Sequence, residues 1–95
     1  MAIFAVTYTY APDSAAARDE HRAAHREYLA AQEANLCSGP FGTEDAPGAL
    51  LLLRVDTREE AIALTEKDPF RIQGLVSEVN VREWLPVLGP LSEHF

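Results

Sequence analysis

Cysteine is nearly absent from this sequence, in which Cys37 is the single one among 95 residues. One cysteine cannot form a disulfide within the chain, and it cannot by itself build a cysteine-rich metal site. A free cysteine is usually a small buried residue, and we expect Cys37 to be one.

Basic residues are also scarce. The sequence has 8 Lys and Arg against 15 Asp and Glu, which gives a formal net charge of −7 at pH 7. Binding to a phosphate backbone needs clustered basic side chains, so we expect no nucleic-acid partner.

Long hydrophobic runs are missing as well. No apolar stretch approaches the length of about 18 residues that a membrane-spanning helix needs. The first residues, Met1 to Val6, enter an alternating strand-like run without a basic segment or a cleavage site. We therefore expect no membrane partner and a soluble, cytoplasmic protein.

Two common catalytic signatures are absent too. There is no glycine-rich phosphate loop and no Gly-x-Ser-x-Gly elbow, so nothing supports a nucleotide-binding or serine-hydrolase interpretation. The composition, with 47% hydrophobic and 24% charged residues, is typical of an ordinary folded protein. We expect one domain over residues 1–95, with an irregular tail from about Pro86 to Phe95.

The first half of the chain alternates strand and helix patterns. A β-branched and aromatic run predicts a strand, Pro12-Asp-Ser14 is typical of a turn, and an alanine-rich amphipathic stretch predicts a helix. Within that helix we assign Asp19, Arg26, Glu27 and Glu33 to the solvent side. Two further strands follow, the second of which contains four consecutive leucines. These elements are predicted at Ile3–Tyr10, Ala15–Ala34, Leu36–Phe41 and Ala49–Val55.

The second half contains one helix and one strand. Thr57 and Glu60 have capping-box spacing and predict a helix that ends near Lys67. Asp68-Pro69-Phe70 then interrupts the helical pattern, and Asp68 is a natural cap for a further turn that starts at Pro69. A last strand is predicted at Val76–Leu85.

The resulting order, β-α-β-β-α-β, predicts an α+β fold of ferredoxin-like type. In this plan a four-stranded antiparallel sheet carries both helices on one face. Strands Ile3–Tyr10 and Ala49–Val55 have apolar residues on both faces, so the face without helices needs a cover. A second copy of the chain, sheet against sheet, is the shortest solution, and we predict a homodimer.

His25 is the candidate chemical group, because it flanks the apolar stripe of the first helix. Arg22 and Tyr28 lie three residues away on either side and can share its patch. The pattern alone fits a structural histidine or one that transfers protons. His21 and His25 have a spacing that can hold zinc, but no further ligand motif accompanies them, so we predict no metal site.

Two other polar residues have alternative roles. Arg22 can receive an anion or pair with Asp19 on the same helix. Ser38, at the bend made by Gly39 and Pro40, can bind a substrate or merely close the bend. Tyr8 and Tyr28 are expected in the core or pocket wall, with hydroxyls that reach a polar group.

Several motifs in order resemble the YciI-like (YCII-related) family of the dimeric α/β-barrel group. They span nearly the whole chain and comprise Arg22-x-x-His25-x-x-Tyr28-Leu29, Ser38-Gly39-Pro40, Glu59-Glu60-Ala61, Asp68-Pro69-Phe70, Gly74-Leu75 and Glu83-Trp84. Where family members often have glycine before the second strand, this chain has Glu33-Ala34-Asn35. We expect Asn35 to make that turn in the left-handed conformation.

The resemblance implies a ferredoxin-like protomer, a homodimer, and an active site in which His25 pairs with Asp68. The fold group includes a dehydrochlorinase of hydroxylated rings, muconolactone isomerases and small monooxygenases. The resemblance therefore implies a cofactor-free lyase or isomerase that transfers protons on a small cyclic or aromatic polar substrate. The catalytic residues would be His25 and Asp68, and Ser38, Arg22 and Tyr28 would bind the substrate. A non-catalytic ligand-binding module is the alternative, and a monooxygenase is the third.

Overall fold

A computed structural model describes all residues from Met1 to Phe95. Its elements alternate as the sequence predicts, and the further turn expected from Pro69 is a short helix. In chain order they are β1 (Ala2–Tyr10), α1 (Ala15–Ala30), β2 (Asn35–Pro40), β3 (Gly48–Val55), α2 (Arg58–Glu66), α3 (Pro69–Ile72), β4 (Val76–Glu83) and a 3₁₀ helix (Pro90–His94).

The strands form one antiparallel sheet in the order β2-β3-β1-β4. The helices pack on one face of it, so the predicted ferredoxin-like α+β fold is confirmed. The sheet's two central strands, β1 and β3, are the strands with the longest apolar runs. No helix of the structure has both the length and the apolar character that crossing a membrane requires.

The core lies between the helices and alternate residues of the central strands. Phe4 pairs with Leu53, Val6 with Leu51 and Tyr8 with Ala49, and all six are buried. Leu29 of α1 and Ala61 of α2 belong to the same cluster and cover it from the helix side. Burial of these side chains provides the main stabilisation of the fold.

The other face of the sheet carries no helix, and we call it the open face. It contains Ala5, Thr7, Leu50 and Leu52, which are all half-buried and alternate with the core residues. Within one chain, the leucine run is thus covered on one side only. The sequence-based expectation that both faces are covered is not met by a single protomer.

Cys37 is exposed, so the expectation of a buried cysteine is wrong. It lies on the edge strand β2 opposite Leu52, on the side of the sheet that no helix covers. Cys37 is exposed for the same reason that Leu52 is only half-buried, because the helices cover the other face of the sheet.

Helix α1 ends at Ala30, four residues before the predicted Ala34. The Asn35 side-chain Nδ2 donates a hydrogen bond to the carbonyl of Leu29 at 3.2 Å and satisfies one of the free carbonyls at the helix end. The predicted left-handed turn at Asn35 is wrong, because Asp13 is the only residue other than glycine with a positive φ. Asn35 therefore caps the end of α1 through its side chain and not through a left-handed backbone conformation.

The later boundaries are close to those predicted. Thr57 caps α2 by accepting a hydrogen bond from the Glu60 N–H at 3.2 Å, as the capping-box spacing indicates. Strand β4 ends at Glu83, two residues early, and the tail expected to be irregular contains the 3₁₀ helix. Trp84 packs edge-on against Phe95, with ring centroids 5.4 Å apart.

Gly48 is required where β3 begins. A Cβ atom at this position would lie 2.2 Å from the backbone carbonyl oxygen of Tyr8, closer than any real side chain approaches. Glycine therefore allows β3 to pack closely against the end of β1, the strand that carries Tyr8 toward the helices.

Candidate active site

The side chains of His25 and Asp68 meet beneath helix α1. His25 lies in the third turn of α1, and Asp68 lies just before α3, 43 residues later. The Nδ1 atom of His25 is 2.7 Å from the Oδ1 atom of Asp68. The contact that the family resemblance implies between these two residues is therefore present in the structure.

Asp68 is completely buried, and each of its two carboxylate oxygens has a hydrogen-bond partner. Its Oδ1 accepts from His25 and from the backbone N–H of Phe70 at 3.0 Å, and its Oδ2 accepts from the Tyr8 hydroxyl at 2.8 Å. Asp68 also caps α3, with Pro69 in the first turn, which is the structural role that its position before proline predicts. One carboxylate thus caps a helix and holds a histidine.

Tyr8 is locked into the donor role in this network. Burial, followed by the neighbouring Asp68 charge and hydrogen bond, raises the pKa of Tyr8 far above its usual value. The phenol therefore remains protonated across the physiological range and donates to the carboxylate. An ionised carboxylate can only accept hydrogen bonds. The contact between Asp68 and His25 therefore requires a proton on Nδ1 of His25.

The imidazole of His25 is held by aromatic packing as well as by Asp68. Its ring stacks on Phe70, with centroids 3.9 Å apart and an interplanar angle of 5°. Tyr10 meets the Phe70 ring edge-on at 5.7 Å. With Nδ1 bound to Asp68, the other nitrogen, Nε2, has no hydrogen-bond partner in the chain and is left with a free lone pair when the ring is neutral.

His25 forms part of the wall of an open pocket of about 380 Å³, which we call the His25 pocket. It lies between α1, β2, β3 and the start of α3, and it suits a small molecule. No carboxylate lines it, although the chain as a whole is acidic. The lining residues are Tyr10, Arg22, His25, Arg26, Leu29, Ala30, Asn35, Ser38, Gly39, Pro40, Ala49, Leu51 and Phe70.

Two of the three residues predicted to bind substrate lie in this pocket. Arg22 lines it and forms an ion pair with Asp19 at 2.6 Å, so of the two roles considered for it the pairing with Asp19 is present in the structure. Ser38 also lines it, and its Oγ accepts a hydrogen bond from Asn35 at 3.1 Å.

Tyr28 does not line the pocket. Its hydroxyl donates to the backbone carbonyl of Leu64 in α2 at 2.6 Å. The expectation that Tyr28 stands at the rim of the site is corrected by this geometry, because its ring points from α1 toward α2 instead. Its hydroxyl does reach a polar group, as expected of a tyrosine at the edge of the core.

Several members of the site were not predicted as such. Tyr10, Phe70 and Asn35 line the pocket, and Arg26, assigned to the solvent side of α1, lines it too. Arg26 follows Arg22 by one helical turn, and this spacing is the signal that would have placed both on the same side. Tyr8 was expected to reach some polar group, but no sequence spacing connects it to Asp68, 60 residues away.

No three side chains of the types His, Cys, Asp and Glu are grouped so that they could hold a metal ion.

Comparison with known proteins places the chain in a family. The model of the YCII-related domain matches residues 2–85. The chain belongs to the YCII-related family. No curated protein is similar enough to be matched.

Two solved structures illustrate the range of its structural relatives. One is 5-chloro-2-hydroxyhydroquinone dehydrochlorinase from Burkholderia phenoliruptrix AC1100, in complex with 2,5-dihydroxybenzoquinone. It is 29% identical, with a TM-score of 0.75, over 86% of this chain and 92% of that chain. The other is a candidate antibiotic biosynthesis monooxygenase from Nitrosomonas europaea. It is 16% identical, with a TM-score of 0.53, over 86% of both chains, and shows the shared fold alone.

Replacing Tyr8 by Phe tests the role of its hydroxyl. The variant leaves Oδ2 of the buried Asp68 without a donor, so we expect unfolding to become easier by about 1–3 kcal/mol. Urea denaturation measures this loss, and Tyr10→Phe is the matched control because the Tyr10 hydroxyl has no partner in the chain. Equal stability of the two variants would show that the Tyr8 contact contributes nothing.

Proposed function

We propose that this YCII-related protein is a cofactor-free enzyme of lyase or isomerase type, in which His25 and Asp68 transfer protons on a small cyclic or aromatic polar substrate. The observation that carries the proposal is the orientation of His25. One ring nitrogen is bound to a fully buried carboxylate at 2.7 Å, while the other has no partner and belongs to a residue lining the pocket.

In the proposed reaction, Nε2 of His25 takes a proton from a substrate hydroxyl or from a carbon next to a carbonyl. The electron pair left behind is delocalised into the ring as an enolate. In an isomerisation the imidazolium returns its proton to another ring atom. In an elimination the leaving group lies on a saturated carbon of the keto form of the ring, the electron pair forms a new double bond as the anion departs, and the imidazolium then releases its proton to solvent. Asp68 holds the imidazole and stabilises its charged form throughout.

Similarity to the dehydrochlorinase supports this proposal. That protein shares 29% identity over most of both chains, and its structure contains a dihydroxylated quinone ring. A ring of this kind is small enough for a pocket of about 380 Å³. Its chemistry, removal of hydrogen and chloride from a hydroxylated ring, is of the type that a positioned histidine base can assist.

A non-catalytic ligand-binding module is the second candidate, because the same pocket and the same hydrogen-bonding groups serve binding without turnover. The monooxygenase alternative has weaker support, since the 16% identical neighbour shows the fold alone. Binding and turnover of one ring compound, measured separately, distinguish the first two candidates.

The test uses 5-chloro-2-hydroxyhydroquinone as substrate and chloride release as the readout. We expect the wild type to release chloride and His25→Gln to be slower by about 10²- to 10⁴-fold, the usual contribution of a general base. His21→Gln, one turn earlier on α1, is the matched control and should retain the wild-type rate.

Binding of 2,5-dihydroxybenzoquinone by calorimetry completes this test. His25→Gln should still bind the ring, because the lost group acts on a proton instead of holding the ligand. If the wild type binds the ring but releases no chloride, the protein is a binding module toward this class. Equal rates for the wild type and His25→Gln would exclude His25 as the base.

We also propose that the protein forms a homodimer through the open face of the sheet. Leu50 and Leu52 are only half-buried there, beside Ala5 and Thr7, and no helix of the same chain covers them. Apolar side chains that remain accessible on a central strand pair favour association with a second copy. Symmetric sheet packing would bury the same residues on both protomers.

Sedimentation equilibrium should give twice the 10.5 kDa of one chain at micromolar concentration. Leu52→Asp places a charge on the open face and should yield a monomer, because a buried unpaired charge costs several kcal/mol. Ile62→Asp, which adds the same charge to an exposed position of α2, is the control and should remain dimeric. A wild-type monomer, or a Leu52→Asp dimer of normal stability, contradicts the proposal.

A further inference from the structure

The His25 pocket presents mostly unused hydrogen-bond donors. The hydroxyl of Ser38 accepts from Asn35, yet its own proton has no acceptor in the chain. The Tyr10 hydroxyl also has none, and burial raises the pKa of Tyr10, so this phenol remains a donor at neutral pH. A ligand that satisfies these groups must offer acceptor oxygens.

The charged groups of the pocket point to the same ligand chemistry. Arg26 lines the pocket, and its guanidinium makes no ion pair or hydrogen bond in the chain. Arg22 uses one terminal nitrogen for Asp19 and retains further donors. No carboxylate lines the pocket, so Arg26 is an uncompensated positive charge there, whereas the charge of Arg22 is shared with Asp19.

Free acceptors are few by comparison. The Nε2 atom of His25 is the accessible acceptor that carries no proton when the ring is neutral, whereas the unpartnered Oδ1 of Asn35 has almost no accessible surface. One such acceptor suits one acidic proton on a ligand that otherwise carries acceptor oxygens.

From this imbalance we infer that the pocket selects the anionic form of a small ring with carbonyl or ionised hydroxyl oxygens, and that Arg26 is the residue that determines this selectivity. The inference rests on the function proposed above and specifies its substrate class. The aromatic wall of Tyr10 and Phe70 accommodates the ring, while Arg26 and Ser38 bind its charged edge.

Two quinones, one ionised near neutral pH and the other its non-ionisable methyl ether, test the inference. 2,5-Dihydroxybenzoquinone is an acidic, anionic ring near neutral pH, whereas 2,5-dimethoxybenzoquinone has the same ring without an ionisable hydroxyl. Calorimetric titrations are made in a Cys37→Ser background, because the exposed thiol of Cys37 can add to a quinone. The proteins compared are this background alone and its Arg26→Gln, Arg26→Lys and Lys67→Gln derivatives.

We expect the dihydroxy ring to bind at least ten-fold more tightly than the dimethoxy ring. Arg26→Gln should weaken only the dihydroxy ring, on the order of ten-fold, as expected from loss of a charge-assisted hydrogen bond. The affinity of Arg26→Lys for the dihydroxy ring should lie between those of the background protein and Arg26→Gln, since lysine retains the charge without the fork geometry of the guanidinium. Lys67→Gln removes the same charge outside the pocket and should have no effect.

Equal affinity for the two rings, no binding of the dihydroxy ring at millimolar concentration, or equal effects of Arg26→Gln and Lys67→Gln would overturn the inference. The outcome is separable from the proposed reaction. Selective binding without chloride release keeps the anion selectivity and removes the enzymatic proposal. Chloride release by Arg26→Gln at the wild-type rate and KM would keep the enzymatic proposal and remove the anion selectivity.

Discussion

A buried carboxylate, that of Asp68, is the constraint on which the candidate site depends. An unpaired charge in the interior costs several kcal/mol, so Asp68 can be tolerated there only if its oxygens are fully hydrogen-bonded. The partners come from β1, α1 and the first turn of α3, namely Tyr8, His25 and Phe70. Satisfying one side chain therefore fixes the relative positions of three elements, and with them the orientation of the imidazole.

The same network makes the histidine different from the other two in the chain. His25 is buried against Phe70 and bound on one nitrogen, whereas His21 and His94 have no such partners. A neutral imidazole held in this way presents a base at one fixed position of the pocket wall. Positioning before reaction is a recognised source of rate, because the cost of ordering the base is met by the folding of the protein.

Much of this arrangement could be predicted from the sequence, for identifiable reasons. Hydrophobic periodicity places α1, a continuous apolar run places β3, and the Thr57 capping box places the start of α2, because these signals are local. The pairing of His25 with Asp68 came from the family resemblance, since no local pattern relates residues 43 positions apart. The exact end of α1 was missed because it depends on a side-chain contact of Asn35.

Three other errors share one physical origin. Tyr28 was assigned from the family resemblance, Arg26 from helix periodicity and Cys37 from the usual burial of free cysteines, but their surroundings depend on which face of the sheet the helices occupy. Tyr28 turns toward α2, Arg26 lies over the pocket, and Cys37 faces the uncovered side. Tertiary packing decides which surroundings such a side chain meets. A sequence pattern of period 3.6 or 2 shows only which residues share a face of a helix or strand.

The tautomer of His25 is the most direct measure of the central claim. A long-range ¹H–¹⁵N correlation spectrum, recorded where the imidazole is neutral, reports which ring nitrogen carries the proton. A ring that donates to Asp68 must be protonated on Nδ1 and must have a free lone pair on Nε2, and this is the result that we predict. His21 serves as the internal reference in the same spectrum. Protonation of His25 on Nε2 would contradict the account, because the base would then be turned away from the pocket.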